Sequence, residues 1–324
     1  MATNEAVAQR ILSVHRVSDW PEVARSVERY VADQDGTIWH YPLLACESFG
    51  GTQDQAYSCM ASVACLVLSI LLVDDMLDND ARGMHVRLGM PVTANIAVFL
   101  QSVAGELITD LDWDPKLKLE VCRMLARASA STAYGQSLDI TDLPRSENDY
   151  WKTCEAKSSD LFKYALFAGA LAGGAGLGPA KTISELSAPL ARFIQVSDDL
   201  ADVFYDPVHP DWERPWSNIA LVYALTADHP ERQPLMELLA DIRGGSNVEK
   251  ARQIVINCGG LAYSVYHLMR EYRNLRERLG KAALPNPAPL EKFLDRLMAP
   301  TQSLFASVGH ELSTDSILKM LENA

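Results

Sequence analysis

MASVACLVLSILLVDDMLD, Met60 to Asp78, is an apolar run that stops abruptly at two aspartates. Apolar residues all round its helical circumference predict a helix buried on every side. The unbroken apolar part, Met60 to Val73, is too short to cross a bilayer. At helical spacing Asp74 and Asp78 fall on one face, with Asp75 beside them. Like charges so placed destabilise a bare helix, and holding three carboxylates together beside a buried run is costly unless divalent cations neutralise them.

The same arrangement recurs in FIQVSDDLADVFYD, Phe193 to Asp206, where Asp198, Asp199 and Asp202 close a second amphipathic stretch. Hard oxygen ligands with no His or Cys nearby favour Mg²⁺ or Mn²⁺ over zinc. Mg²⁺ commonly bridges carboxylates to phosphate oxygens of a substrate, which makes a diphosphate the natural ligand. One DDxxD motif is readily an exposed helix end. Two, each after an apolar helix, are much harder to explain that way.

Nearly every other long segment has helical periodicity and is rich in Ala, Leu and Met, so the fold class is all-α, expected as one domain over 1–324. Gly and Pro clusters divide it into about ten helices. GGAGLG, Gly173 to Gly178, lacks the Lys-Ser/Thr of a phosphate loop and any preceding strand, and reads as a turn between helices. The net charge of −13 excludes nucleic acid as a ready partner. An acidic protein that binds an anion must reverse the local sign with metals or with a few placed Arg and Lys side chains. The six cysteines show no zinc-like spacing and no secretory signal precedes them, so reduced thiols and a cytoplasmic location are expected.

The two clusters resemble those of the trans-prenyltransferase (polyprenyl synthetase) family and the related class I terpene synthases. RLGMPVT at Arg87 to Thr93 is similar to the family's RRGxPT, GQSLDI at Gly135 to Ile140 to its GQxxDL, and AKSSDLF at Ala156 to Phe162 to its KTAxLF. The resemblance implies an isoprenoid-synthase helical bundle around a central pocket, with the two aspartate motifs facing across it and holding three Mg²⁺ ions on an allylic prenyl diphosphate. Arg87 and Lys157 then act on that diphosphate, Gln195 supports a carboxylate, and Arg214 substitutes for a lysine that the family carries after its second motif. A homodimer is expected.

One half of the family's machinery is absent. Where the chain-elongating members bind isopentenyl diphosphate with GGKRxRP, this sequence has GTIWHYP, Gly36 to Pro42, and Leu88 replaces the second Arg of RRGxP. Isopentenyl diphosphate is therefore expected to be a poor substrate. The leading expectation is a terpene synthase that resolves the carbocation within one substrate. A prenyltransferase with isopentenyl diphosphate or another acceptor is the alternative, and a non-catalytic prenyl-diphosphate-binding subunit is a third reading. Aromatic rings at Phe162, Tyr164, Phe167, Phe193 and Tyr223 are candidates to face a carbocation, although most suit plain core. In the family, residues one and two turns before the first cluster floor the pocket. Ser69 and Ile70 here are small to modest, so a C15 or C20 chain is expected to fit.

Overall fold

The computed structural model describes residues 3–32, 38–140, 146–204, 212–242 and 247–307. Every regular element among them is helical. The helices are α1 (Thr3–Leu12), α2 (Pro21–Ala32), α3 (Tyr41–Ser48), α4 (Gln53–Leu77), α5 (Met84–Leu88), α6 (Met90–Thr109), α7 (Pro115–Asp139) and α8 (Glu147–Ala172). They continue with α9 (Leu177–Ser184), α10 (Ser187–Asp202), α11 (Ile219–Thr226), α12 (Arg232–Ala240), α13 (Val248–Asn257), α14 (Gly260–Lys281) and α15 (Ala288–Ser307).

There are more helices than the Gly and Pro breaks predict. The chain also turns where neither residue stands: Arg16 takes φ 66° between α1 and α2, Glu185 caps α9, and an extended Ala227 ends α11. Of the Gly and Pro clusters, those at 143–144 and 244–245 lie outside the described residues, as does 207–211 of the cluster at 207–215. GGAGLG is a turn, with α8 ending at Ala172 and α9 starting at Leu177.

The chain forms two compact units. The first comprises 1–136, 157–188 and 278–293, and α4 is its axis. Gln55 at the third helical position accepts a hydrogen bond from the Thr52 N–H at 2.7 Å, which fixes the start of α4. From Ser58 to Ser69 every residue is buried, as the apolar circumference predicts. The helix begins at Gln53, so at 25 residues it is longer than its apolar run, and 78% of its most apolar window is buried inside the protein. Ser62 Oγ donates to the Ala104 carbonyl of α6 at 2.6 Å and lies 2.6 Å from the Tyr164 hydroxyl of α8, so its polarity is satisfied in the core.

In this unit α3 is pressed onto α8. A Cβ at Gly169 would stand 2.2 Å from the Pro42 carbonyl oxygen, and one at Gly173 would stand 2.4 Å from that of Cys46. Only glycine admits backbones this close. The 3₁₀ turn just before α3, Ile38–His40, is held with it, and Trp39 and Tyr41 are 0% and 3% exposed.

The second unit comprises 137–156, 189–277 and 294–324. Its core gathers Val203, just after α10, and Trp212 with Leu221, Leu235, Val248 and Val255 of α11 to α13. The polar counterpart is a buried ion network, in which Glu271 pairs with Arg192 at 3.2 Å and with Arg270 at 2.8 Å.

Candidate active site

The first acid cluster occupies the C-terminal end of α4. Asp78 caps the helix, its N–H bonding the Asp74 carbonyl at 2.9 Å. Helix C-termini carry negative partial charge, so acids there are unfavourable until a cation joins them. Asp74 is half-buried and Asp78 exposed. The Gln136 side-chain amide, from the GQSLDI motif on α7, donates to Asp74 Oδ1 and fixes that carboxylate. Asp75 is half-buried, and burial, seconded by repulsion from Asp80, raises its pKa. Asp80 itself is held down to about 2 by its bonds to Arg82.

The chain then folds back. A Cβ at Gly83 would meet the His85 ring at 2.6 Å and the Asp75 Cβ at 3.0 Å, so this turn is closed against the cluster. It delivers Arg87, exposed on α5, to the rim of a cavity of about 780 Å³. Arg25 and Arg29 of α2, Arg82, Asp75 and the apolar Leu71 also line that cavity. Lys157 lies half-buried on α8, where its carbonyl accepts from Thr132 Oγ1 at 2.9 Å.

Of the residues expected to floor a pocket, Ile70 is half-buried. Ser69 is fully buried, and its hydroxyl turns back to the Leu66 carbonyl at 2.7 Å. Phe162, Tyr164, Phe167 and Phe193 are buried core, and Tyr223 stacks on Tyr263 at 4.4 Å.

The second cluster ends α10, and its three acids differ. Asp198 is exposed and Asp202 half-buried, whereas Asp199 is 0% exposed. Asp199 Oδ2 accepts from the Tyr150 hydroxyl at 2.7 Å and from the Ile219 N–H at 2.6 Å, and Oδ1 from Gln195 Nε2 at 2.8 Å. The Asn218 side chain adds a bond to the Asp199 carbonyl at 2.9 Å while its own oxygen caps α11. The motif places Asp199 among the metal ligands; here both its oxygens face protein donors, and the carboxylate that Gln195 orients is this one. Arg214 stands at the start of the 3₁₀ turn Pro215–Ser217, half-buried.

Tyr150 has no signal in the sequence. Tyr150→Phe should cost about 1–2 kcal/mol, because it deletes one donor to a buried acceptor. A shift in the denaturant midpoint at constant slope measures it.

The donor set fits Mg²⁺. Each cluster offers only carboxylates, and among the described residues no three acid, His or Cys side chains converge to cage an ion. That is the arrangement Mg²⁺ favours, with one or two carboxylates from protein and the rest of its shell from phosphate and water.

An all-helical chain with two acid clusters, each at a helix C-terminus, defines an isoprenoid-synthase architecture. The family model described as Polyprenyl synthetase matches residues 40–257, and the chain belongs to that family. It is 28% identical over 209 residues to a geranylgeranyl diphosphate synthase of Methanosarcina mazei, covering 61% of this chain and 63% of that one. The chain thus spans less than two thirds of that relative's length. A geranylfarnesyl diphosphate synthase of Aeropyrum pernix is 24% identical, with 68% of this chain and 75% of the other covered. Among solved structures, a geranylgeranyl pyrophosphate synthase superposes with a TM-score of 0.80 at 16% identity, covering 92% and 95% of the two chains. A polyprenyl synthase from Caulobacter crescentus, complexed with calcium and isoprenyl diphosphate, gives 0.77 at 20% identity over 91% and 92%.

Proposed function

We propose that this chain is a prenyl diphosphate synthase, joining an allylic prenyl diphosphate of C15 or C20 to an acceptor. This puts the alternative drawn from the sequence ahead of its leading expectation, intramolecular resolution by a terpene synthase, because the named relatives are prenyl diphosphate synthases. The observation that carries the proposal is the pair of acid clusters at the ends of α4 and α10 in a member of this family.

Asp74 and Asp78, with Asp198 and Asp202, would hold Mg²⁺ on the allylic diphosphate. Bound there, the metal supplies Lewis-acid stabilisation of the leaving group. Arg87 and Lys157 add positive charge to the same oxygens. The C1–O bond breaks with its electron pair going to diphosphate, C1 bonds to the nucleophilic carbon of the acceptor, and the acceptor loses a proton. Gln136 fixes Asp74, and Asp199 anchors the second cluster. A cytoplasmic homodimer belongs to the same reading.

Terpene synthase chemistry remains the second reading, and one observation favours it. Trp39 and Tyr41, which replace family cations, are core residues and cannot touch a diphosphate. Incubation with C10, C15 and C20 allylic diphosphates plus Mg²⁺, with and without isopentenyl diphosphate, separates the two. The expected result is release of diphosphate only with acceptor, and a diphosphate five carbons longer. A hydrocarbon or alcohol formed from the allylic substrate alone would overturn the transferase reading.

A further inference from the structure

α10 carries its acids at its C-terminal end, and no basic residue stands in its last turn. The final carbonyls of a helix lack partners within it and bear negative partial charge, so carboxylates at that end favour fraying. Asp199 resists this through its buried donors. The chain just after Asp202 is held from outside: Nε of Arg252, on α13, donates to the Val203 carbonyl at 2.8 Å.

That bond is built into the second unit. Val203 is buried in one core with Val248, Ala251 and Val255 of α13, so the acceptor's residue and the donor's helix are packed together. The Val203 N–H reaches the Asp199 carbonyl at 3.3 Å and the Phe204 N–H that of Ala201 at 3.0 Å, which closes the turn carrying the acids. The Arg252 side chain is only 20% exposed, and its guanidinium lies 6.0 Å from the centroid of the Phe204 ring. Nη1 pairs with the exposed Glu249, one turn earlier on α13. Glu249 offsets the guanidinium charge in a solvent-screened pair, so little field reaches the acids. What reaches them is the hydrogen bond, because a cation that donates to the last carbonyls of a helix opposes its unwinding.

We infer that Arg252 is a positioning residue for the second acid cluster. By holding the Val203 carbonyl it keeps the final turn of α10 wound, and a wound turn keeps Asp198 and Asp202, at i and i+4, on one face. Mg²⁺ demands near-ideal octahedral geometry, so a frayed pair of ligands binds it more weakly. The inference rests on the reading that these acids hold Mg²⁺ on a diphosphate, and it adds a residue that none of the motifs recognised in the sequence includes.

The test compares the full chain with Arg252→Met, which keeps an apolar stem and removes the donors. In EDTA, backbone hydrogen exchange in the peptide that ends α10 should quicken about tenfold in the variant, with exchange in α14 unchanged. Calorimetric binding of inorganic pyrophosphate should need about tenfold more Mg²⁺ for half-saturation, whereas turnover at saturating Mg²⁺ should stay within about twofold. A merely structural role would lower the melting temperature without moving the Mg²⁺ midpoint. Glu249→Ala leaves the Val203 bond in place and should change neither readout, and Arg252→Lys, which retains a donor, should fall between methionine and arginine. If methionine prevents folding, the lysine variant carries the same comparison. Unchanged exchange, an unmoved Mg²⁺ midpoint, or an equal shift in Glu249→Ala would each overturn the assignment. Failure of the reading beneath it shows differently: the unaltered protein then binds no pyrophosphate in Mg²⁺ and consumes no allylic diphosphate.

Discussion

Asp74→Ala and Asp198→Ala should each lower allylic diphosphate turnover by about 10²–10³-fold, the usual effect of removing one group that stabilises developing negative charge. The fold should survive both changes. Asp198 is exposed and Asp74 half-buried, and each stands in the last turn of its helix, where a negative charge opposes the helix dipole. Removing Asp198 relieves that repulsion, so its melting temperature should hold or rise slightly in the absence of metal, whereas Asp74→Ala also strands the buried Gln136 amide and should lower it modestly, by about 1–3 kcal/mol of stability. The measurement is steady-state release of diphosphate over a Mg²⁺ titration, alongside thermal unfolding. Near-full turnover in either variant at saturating Mg²⁺ would show that the diphosphate is held elsewhere.

One residue further along, Asp199→Ala should act on the fold first. Its carboxylate accepts from the Tyr150 hydroxyl, the Gln195 amide and the Ile219 N–H. An alanine leaves three donors unanswered in a dry site, each at about 1–3 kcal/mol when unmet, so a net loss of about 3 kcal/mol or more is expected. Against a typical total stability of about 5–15 kcal/mol, that is a large fraction. Chemical denaturation should show the loss without ligand or metal present. Asp199→Asn, which keeps two acceptor pairs on one oxygen, should recover part of it. If Asp199→Ala unfolds like the unaltered protein while losing turnover, Asp199 is a ligand after all and the anchoring role is wrong.

The adjacent pair also shows how far the sequence could be read. The periodicity of Met60 to Asp78 was enough to place a buried helix that stops at its acids, because burial on all sides leaves a compositional mark. The motif could not divide Asp198 from Asp199, because the division depends on Tyr150 and Ile219, which are distant in sequence from α10 and meet it only on folding. Gln136 lay within a recognised motif but acquired a role only when α7 brought it to Asp74. The extra helix breaks leave no mark of Gly or Pro because they use αL or extended backbone at Arg16 and Ala227.

The close approach of α3 to α8 decides which side chains this corner of the first unit can accept. Residues Ile38 to Tyr41 lead directly into Pro42, whose backbone is seated against Gly169 without room for a methyl group. A lysine or arginine placed at Trp39 or Tyr41 would enter a fully enclosed space and leave an uncompensated charge there, at about 3–5 kcal/mol. Packing, rather than surface chemistry, therefore holds both positions aromatic, and a cation added at either would report as lost stability before it could meet any anion.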